Sequence, residues 1–174
     1  MKKNIIFFSI ILLSLSSYGL EGTLTQGTVK PTPIAITNFY NPDGLIAKTG
    51  KNISKVISEN LTRSGLFESI DHKAFIQSED SLHKKLRFED WKLIKAQHLV
   101  SGKISKVDNK ISIEFRLYDV FSQKQLLGKK YETSEKNWRR VSHIISDAIF
   151  KRITGEGGYF DRRIVYVSET GPKY

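Results

Sequence analysis

The chain contains no cysteine. That absence excludes a disulfide framework, a catalytic thiol and the lipid-modified cysteine of a lipoprotein. Recognisable catalytic motifs are missing too. The sequence has no Gly-x-Ser-x-Gly elbow. Gly155-Glu156-Gly157-Gly158 lacks the preceding strand and the following helix of a phosphate-binding loop. The pattern of an RNA-binding strand is absent as well, so no nucleic-acid partner is predicted.

The residues that could carry chemistry are scattered along the chain. The four histidines show no metal-ligand spacing and are interpreted as packed or surface side chains: His72, His83, His98 and His143. The prominent carboxylates do not mark an acid–base pair: Glu89, Asp90, Asp119 and Asp147. Asp147 lies beside a predicted buried stripe and is expected to make a structural hydrogen bond. We predict no catalytic residue, no metal site and no cofactor; an unrecognised hydrolytic site is the alternative.

A long apolar run occupies residues 5–15, behind Lys2 and Lys3 and ahead of the small residues Ser17 and Gly19. This pattern is typical of a secretory signal peptide, and the run is short for a membrane span. We predict a cleavable signal over residues 1–19, a mature start near Leu20, export to the periplasm and no integral membrane span afterwards. An uncleaved anchor helix is the alternative.

Lysine and arginine outnumber aspartate and glutamate by 28 to 18. Lys2 and Lys3 leave with the signal, which lowers the formal net charge from +10 to +8. Because basic residues are interspersed with acidic ones, they indicate an ordinary solvated surface. The alternative is a periplasmic protein that binds anionic envelope polymers or lipids through a basic surface, and steep loss of binding with salt would favour it.

The mature chain is long enough for one domain. Residues 20–33 are polar, contain glycine and lack helical periodicity, so we predict a flexible N-terminal arm. Pro31 and Pro33 close off this arm because each restricts the residue before it to extended geometry. The α/β domain is expected over residues 34–156.

The first half of this domain is predicted to form a strand, a helix and a strand. An apolar run over residues 34–39 indicates a buried strand. After a turn, apolar or small residues recur every three or four positions and indicate one helical stripe: Ile46, Gly50, Ile53, Ile57 and Leu61. Gly65 is placed to end that helix, and residues 66–70 return as a strand.

The second half is predicted to hold a helix, three strands and a helix. Residues 71–87 resist assignment, whereas residues 88–97 have helical spacing. Three strands follow, and the middle one alternates apolar with polar residues: 99–107, 111–118 and 125–133. Ser134 or Asn137 could cap the last helix. Its stripe is Trp138, Val141, Ile145, Ala148 and Ile149. The order βαβαβββα predicts an α/β fold with helices packed on one mixed sheet.

Four stretches carry a resemblance to a known family: Leu24-Thr25-Gln26-Gly27, Pro33-Ile34-Ala35-Ile36, Arg63-Ser64-Gly65-Leu66-Phe67 and residues 137–168. On these residues the chain resembles the TolB family, periplasmic components of the bacterial Tol–Pal envelope system. The resemblance implies an N-terminal α/β domain followed by a six-bladed β-propeller, which is absent from this chain. Residues 157–174 would be a hinge and the first strand of the truncated propeller, with the hinge at Gly155, Gly157 and Gly158.

The resemblance also implies a non-catalytic protein with two partners. The arm would bind the C-terminal domain of TolA through ten residues: Leu20, Glu21, Gly22, Thr23, Leu24, Thr25, Gln26, Gly27, Thr28 and Val29. The propeller would bind the lipoprotein Pal. The system would maintain the outer membrane, support constriction at division and admit some bacteriocins. Gly22 departs from the branched or apolar residue expected there, and glycine weakens strand pairing. A monomer is expected.

Overall fold

The computed structural model describes residues 30–162. Three predicted features lie outside the described residues: the signal peptide, the proposed partner-binding residues 20–29 and the strand expected after residue 162. Within residues 30–162 a five-stranded sheet has the strand order β2-β1-β3-β4-β5. Its strands are β1 (Thr32–Ile36), β2 (Phe67–Ser69), β3 (His98–Val107), β4 (Lys110–Asp119) and β5 (Lys124–Ser134). β1 runs parallel to β2 and β3, whereas β3, β4 and β5 form an antiparallel meander.

Helices in this part of the chain flank the sheet: α1 (Ala47–Arg63), α2 (Glu79–Lys84), α3 (Phe88–Leu93) and α4 (Trp138–Thr154). Short 3-10 turns occur at His72–Ala74 and Glu135–Asn137. The predicted α/β class, with helices on one mixed sheet, is confirmed. Among the described residues no helix is both long and apolar enough to cross a membrane.

Hydrophobic packing covers the sheet on both faces. On one face, α1 and α4 bury their stripes against residues such as Ile34 and Ile36 of β1. On the other face, Leu82 of α2 and Trp91 of α3 pack against Ala35 of β1 and its neighbours. Successive strand residues point to opposite faces, so β1 serves both cores at once.

The two long helices follow their predicted stripes. The α1 positions and the α4 positions Val141, Ile145 and Ile149 are buried, and each large apolar side chain contributes about 1.5–3 kcal/mol on burial. Gly65 and Gly155 adopt left-handed conformations with φ of 74° and 80°, as their predicted role in ending the helices requires. Asn137 is the N-cap residue of α4, as predicted, but the expected side-chain capping hydrogen bond is not formed. Neither Ser134 nor Asn137 makes a side-chain cap, because a 3-10 turn leads into the helix.

The first strand begins earlier than predicted. β1 runs from Thr32 to Ile36 and so includes Thr32 and Pro33. Both residues were predicted to belong to the arm. Thr37 then continues alongside β3 through a hydrogen bond from its N–H to the Val100 carbonyl. Pro33 is tolerated although it lacks an N–H, because it lies before the β1–β3 ladder, which begins at Ile34 and His98. Its carbonyl accepts from the Gln97 N–H.

Gln77 organises residues 71–87, which the sequence left unassigned. Its buried side-chain oxygen accepts from Trp91 Nε1 at 3.2 Å and from the Arg87 N–H at 3.1 Å. Its nitrogen donates to the Lys85 carbonyl at 2.6 Å and to Ser81 Oγ at 3.2 Å. One side chain thus ties α2 to α3.

Helix α3 is shorter than predicted. It ends at Leu93 rather than Gln97, because Lys95 takes a left-handed φ of 60°. The Ala96 N–H then returns to the Trp91 carbonyl before β3 begins at His98.

Candidate functional site

The structure shows where the N-terminal arm enters the domain. Thr32 pairs with Phe67 at the start of the parallel β1–β2 ladder. The Thr32 N–H donates to the Leu66 carbonyl at 2.8 Å. Lys30, two residues earlier, is exposed. The arm therefore leaves the domain beside the beginning of β2.

Phe67 connects this point to the last turn of α4. Its ring centroid lies 6.2 Å from that of Phe150, in an edge-on arrangement. The Phe150 ring also lies 5.8 Å from Tyr159 and 5.8 Å from Phe160. Such pairs add about 0.5–1.5 kcal/mol each beyond the area they bury. This aromatic cluster (Phe67, Phe150, Tyr159 and Phe160) places the arm's entry and the exit segment (residues 156–162) at one end of the sheet.

Asp147 anchors the exit segment to α4. Its two carboxylate oxygens accept hydrogen bonds from the Phe160 N–H at 2.8 Å and the Asp161 N–H at 3.1 Å. Arg140, two turns earlier on α4, forms an exposed ion pair with Asp161 at 3.4 Å. The expected structural hydrogen bond of Asp147 is therefore present. The packed domain continues past the predicted boundary at residue 156.

The three predicted hinge glycines have different surroundings. Gly155 ends α4, and no atom would lie within 4 Å of a Cβ at Gly157. Gly158 instead packs so closely on Asp147 that a Cβ there would overlap its carboxylate and backbone. A Cβ would meet open space at Gly155 and Gly157, whereas Gly158 is needed for close packing.

Asn60 holds α4 against α1. Its side-chain nitrogen donates to Ser146 Oγ at 3.0 Å and lies 2.9 Å from His143 Nδ1. Because an amide nitrogen only donates, Nδ1 accepts and the His143 proton sits on Nε2. This buried polar contact fixes the register of the two helices, and with it the positions of Asp147 and Phe150.

The other histidines have local structural surroundings. His83 Nε2 lies 3.0 Å from the Gly102 carbonyl, and its ring stacks on Tyr40 with centroids 4.9 Å apart. His98 is buried, with no hydrogen-bond partner for Nδ1 in the described structure. Burial lowers the pKa of His98 below its ordinary 6.5, opposed by the charge of Asp119. The ring of His72 lies 4.8 Å from that of Phe75.

The prominent carboxylates also have local partners. Glu89 pairs with Lys92 at 2.9 Å, and Asp90 pairs with Arg87 at 2.6 Å. Asp119 accepts from the Ser122 N–H at 2.8 Å, and hydrogen bonding to Ser122 lowers the pKa of Asp119. Within residues 30–162 no group of three or more histidines and acids is arranged to hold a metal ion.

Sequence reasoning found Asp147 but missed the aromatic cluster. The usable signal was Tyr159-Phe160-Asp161 directly after the glycines, since two adjacent aromatics rarely stand in a flexible linker. Their contact with Phe150 depends on the fold of residues 156–160 back onto α4.

Comparisons with known proteins give one consistent result. The TolB amino-terminal domain family matches residues 23–126. The Tol-Pal system protein TolB of Paramagnetospirillum magneticum is 50% identical over 151 residues, covering 86% of this chain and 34% of the relative. The protein of the same name from Pelagibacter ubique is 43% identical over 178 residues, covering 97% of this chain and 40% of the relative.

A solved structure supports the same relationship. The crystal structure of TolB from Acinetobacter baumannii aligns with a TM-score of 0.62 and 26% identity, covering 76% of this chain and 30% of that one. The chain thus spans between a third and two fifths of the length of the curated relatives it matches.

Proposed function

The chain belongs to the TolB amino-terminal domain family, and from this premise we propose that it is a non-catalytic, periplasmic component of the Tol–Pal system whose arm binds the C-terminal domain of TolA. The observation that carries the proposal is the reach of the family match, which begins at residue 23 and so includes residues 23–29 of the arm. Outer-membrane maintenance, constriction at division and bacteriocin import would follow from membership of that system.

The arm suits a partner that accepts an added strand. An extended peptide gains affinity through its backbone hydrogen bonds at an exposed sheet edge, and its alternate side chains provide specificity. Residues 20–29 lead towards Thr32, which is already in the extended geometry of β1. Leu24 is the larger of the two apolar side chains in residues 23–29, so we expect it to fill a pocket on the partner.

The position of the arm's entry supports coupling to a downstream domain. Pal would bind a propeller that follows the exit segment. Because Phe67 and Phe150 link the arm's entry to that segment, a domain attached there could favour either a docked or a free arm. Pal binding would then shift the population of arms available to TolA.

The experiment is a titration of the purified chain with the C-terminal domain of TolA, measured by calorimetry. Deleting residues 20–29 should abolish binding, and Leu24→Ala should weaken it about tenfold, which is typical of losing one apolar anchor. Leu45→Ala is the matched control, because Leu45 is 78% exposed in a loop outside the arm. Unchanged affinity after the deletion would contradict the proposal.

A further inference from the structure

A basic cleft lies on the sheet face opposite α1 and α4. It has a volume of about 580 Å³ and opens over β3, β4 and β5. Two cross-strand rows form its floor. Ser101, Arg116 and Gly128 are register partners in one row. Lys103, Glu114 and Lys130 are partners in the next.

The cleft has a marked excess of positive charge. Three cationic side chains project from this face, against the single carboxylate of Glu114: Lys103, Arg116 and Lys130. Lys129 also borders the cleft, but it is the register partner of the core residue Phe115, so its side chain points to the opposite face. Arg116 and Lys103 are exposed. Neither takes part in an ion pair among the described residues, whereas Lys130 pairs with Glu132 at 3.2 Å. A guanidinium without a protein partner is suited to bind a carboxylate through two parallel hydrogen bonds.

One wall of the cleft is rigidly built. Tyr40 and His83 stack there, the Tyr40 hydroxyl donates to Asp80 at 3.1 Å, and Asp80 pairs with Lys84 at 2.6 Å. Burial lowers the pKa of His83 below its ordinary 6.5, and the positive charges of Lys103 and Arg116 lower it further against the Gly102 carbonyl. The positive charges of the cleft therefore favour the neutral form of the His83 imidazole.

Gly128 keeps the space beside Arg116 open. A Cβ at this position would lie 2.8 Å from Gln125 Nε2 and 3.8 Å from Arg116 Cγ. A larger residue would project into the cleft next to the guanidinium, since Gly128 and Arg116 are register partners.

We propose that this cleft binds an extended acidic segment of a partner protein, with carboxylates at alternate positions. The Arg116 row and the Lys103 row are two residues apart along the strands, roughly 7 Å. Carboxylates at positions i and i+2 of an extended peptide have the same spacing. A membrane surface fits less well, because the cleft is concave and walled. None of the exposed large apolar side chains within residues 30–162 lines it.

The test is fluorescence anisotropy of the purified chain with a labelled eight-residue peptide of alternating glutamate and serine. A peptide with glutamine in place of glutamate is the ligand control. Lys103→Gln with Arg116→Gln should weaken binding at least about tenfold, as expected for losing charge-assisted hydrogen bonds. The matched control, Lys51→Gln with Lys55→Gln, removes two exposed charges from α1 and should change affinity less than about twofold.

Gly128→Glu gives an independent variant, because it places a carboxylate beside Arg116 and should also lower affinity for the acidic peptide. Circular dichroism confirms that each variant is folded. Equal binding of the glutamine peptide, or equal losses in the α1 control, would overturn the proposal. So would binding to phosphatidylglycerol vesicles through Arg116 without binding to the peptide, since that result would assign the cleft to a lipid surface.

Discussion

The Asp147 carboxylate on α4 accepts a 2.8 Å hydrogen bond from the backbone N–H of Phe160. A residue inside the helix thus holds the chain that leaves the helix. This contact fixes the position of Phe160 and Asp161 against α4.

Asp147→Ala should release the exit segment. Loss of two charge-assisted hydrogen bonds should lower the free energy of unfolding by about 1–3 kcal/mol. Hydrogen exchange at the Phe160 and Asp161 amides should become faster, because both lose their acceptor. Asp43→Ala, at an exposed loop position, is the control and should leave those amides unchanged. Equal protection in both variants would show that the aromatic contacts alone hold the segment.

Gln77→Ala should be strongly destabilising. The side chain is 3% exposed, and its loss leaves the Trp91 indole N–H and the Arg87 N–H without their acceptor. Unpartnered buried groups cost about 1–3 kcal/mol each, so we expect a loss of at least about 2 kcal/mol in chemical denaturation. Gln97→Ala, at an exposed position, should stay within about 0.5 kcal/mol of the parent. Similar midpoints for the two variants would refute the role of Gln77.

The buried imidazole of His98 should make stability depend on pH. Its folded pKa is lowered, so protons bind more readily to the unfolded chain. Stability is therefore complete above the ordinary pKa of 6.5 and falls as the pH drops through the lowered folded pKa. His98→Gln should flatten the dependence of the unfolding free energy on pH between 6.5 and the lowered folded pKa of His98.

The His98→Gln variant should keep a smaller pH dependence of stability, because burial also lowers the pKa of His83. The exposed His72→Gln is the control and should keep the parent slope. An unchanged slope in His98→Gln would contradict the prediction.

Gly102→Ala should disturb the core, because its Cβ would overlap the ring of Phe39. Overpacking of this kind costs about 1–3 kcal/mol, which thermal unfolding can measure. Gly157→Ala meets no atom within 4 Å and should be close to neutral. A neutral Gly102→Ala would mean that Phe39 can move aside without loss of packing.

Periodicity predicted the parts of the fold that depend on local spacing. The α1 stripe, the alternation of β4 and the left-handed glycines Gly65 and Gly155 all appear as expected. The predicted end of α3 and the side-chain hydrogen bond that would cap α4 were wrong. Lys95 and a 3-10 turn redirect the backbone there, and neither has a periodic signal in the sequence.

By itself, the sequence determined the fold class, the two stripes that build the larger core, the family and the absence of thiol chemistry. The fold class and the stripes depend on apolar repeats of two or of three to four residues, and the absence of thiol chemistry depends on composition. The family depends instead on the stretches of sequence that match it. Tertiary structure alone decided which distant side chains meet. Phe67 reaches Phe150 because α4 packs against α1, which itself packs on β2. Gln77 contacts Trp91 through a loop without periodicity, and Arg116 faces Ser101 and Gly128 only through the register of β3, β4 and β5. Contacts of this kind depend on chain geometry over many residues, which local spacing does not specify.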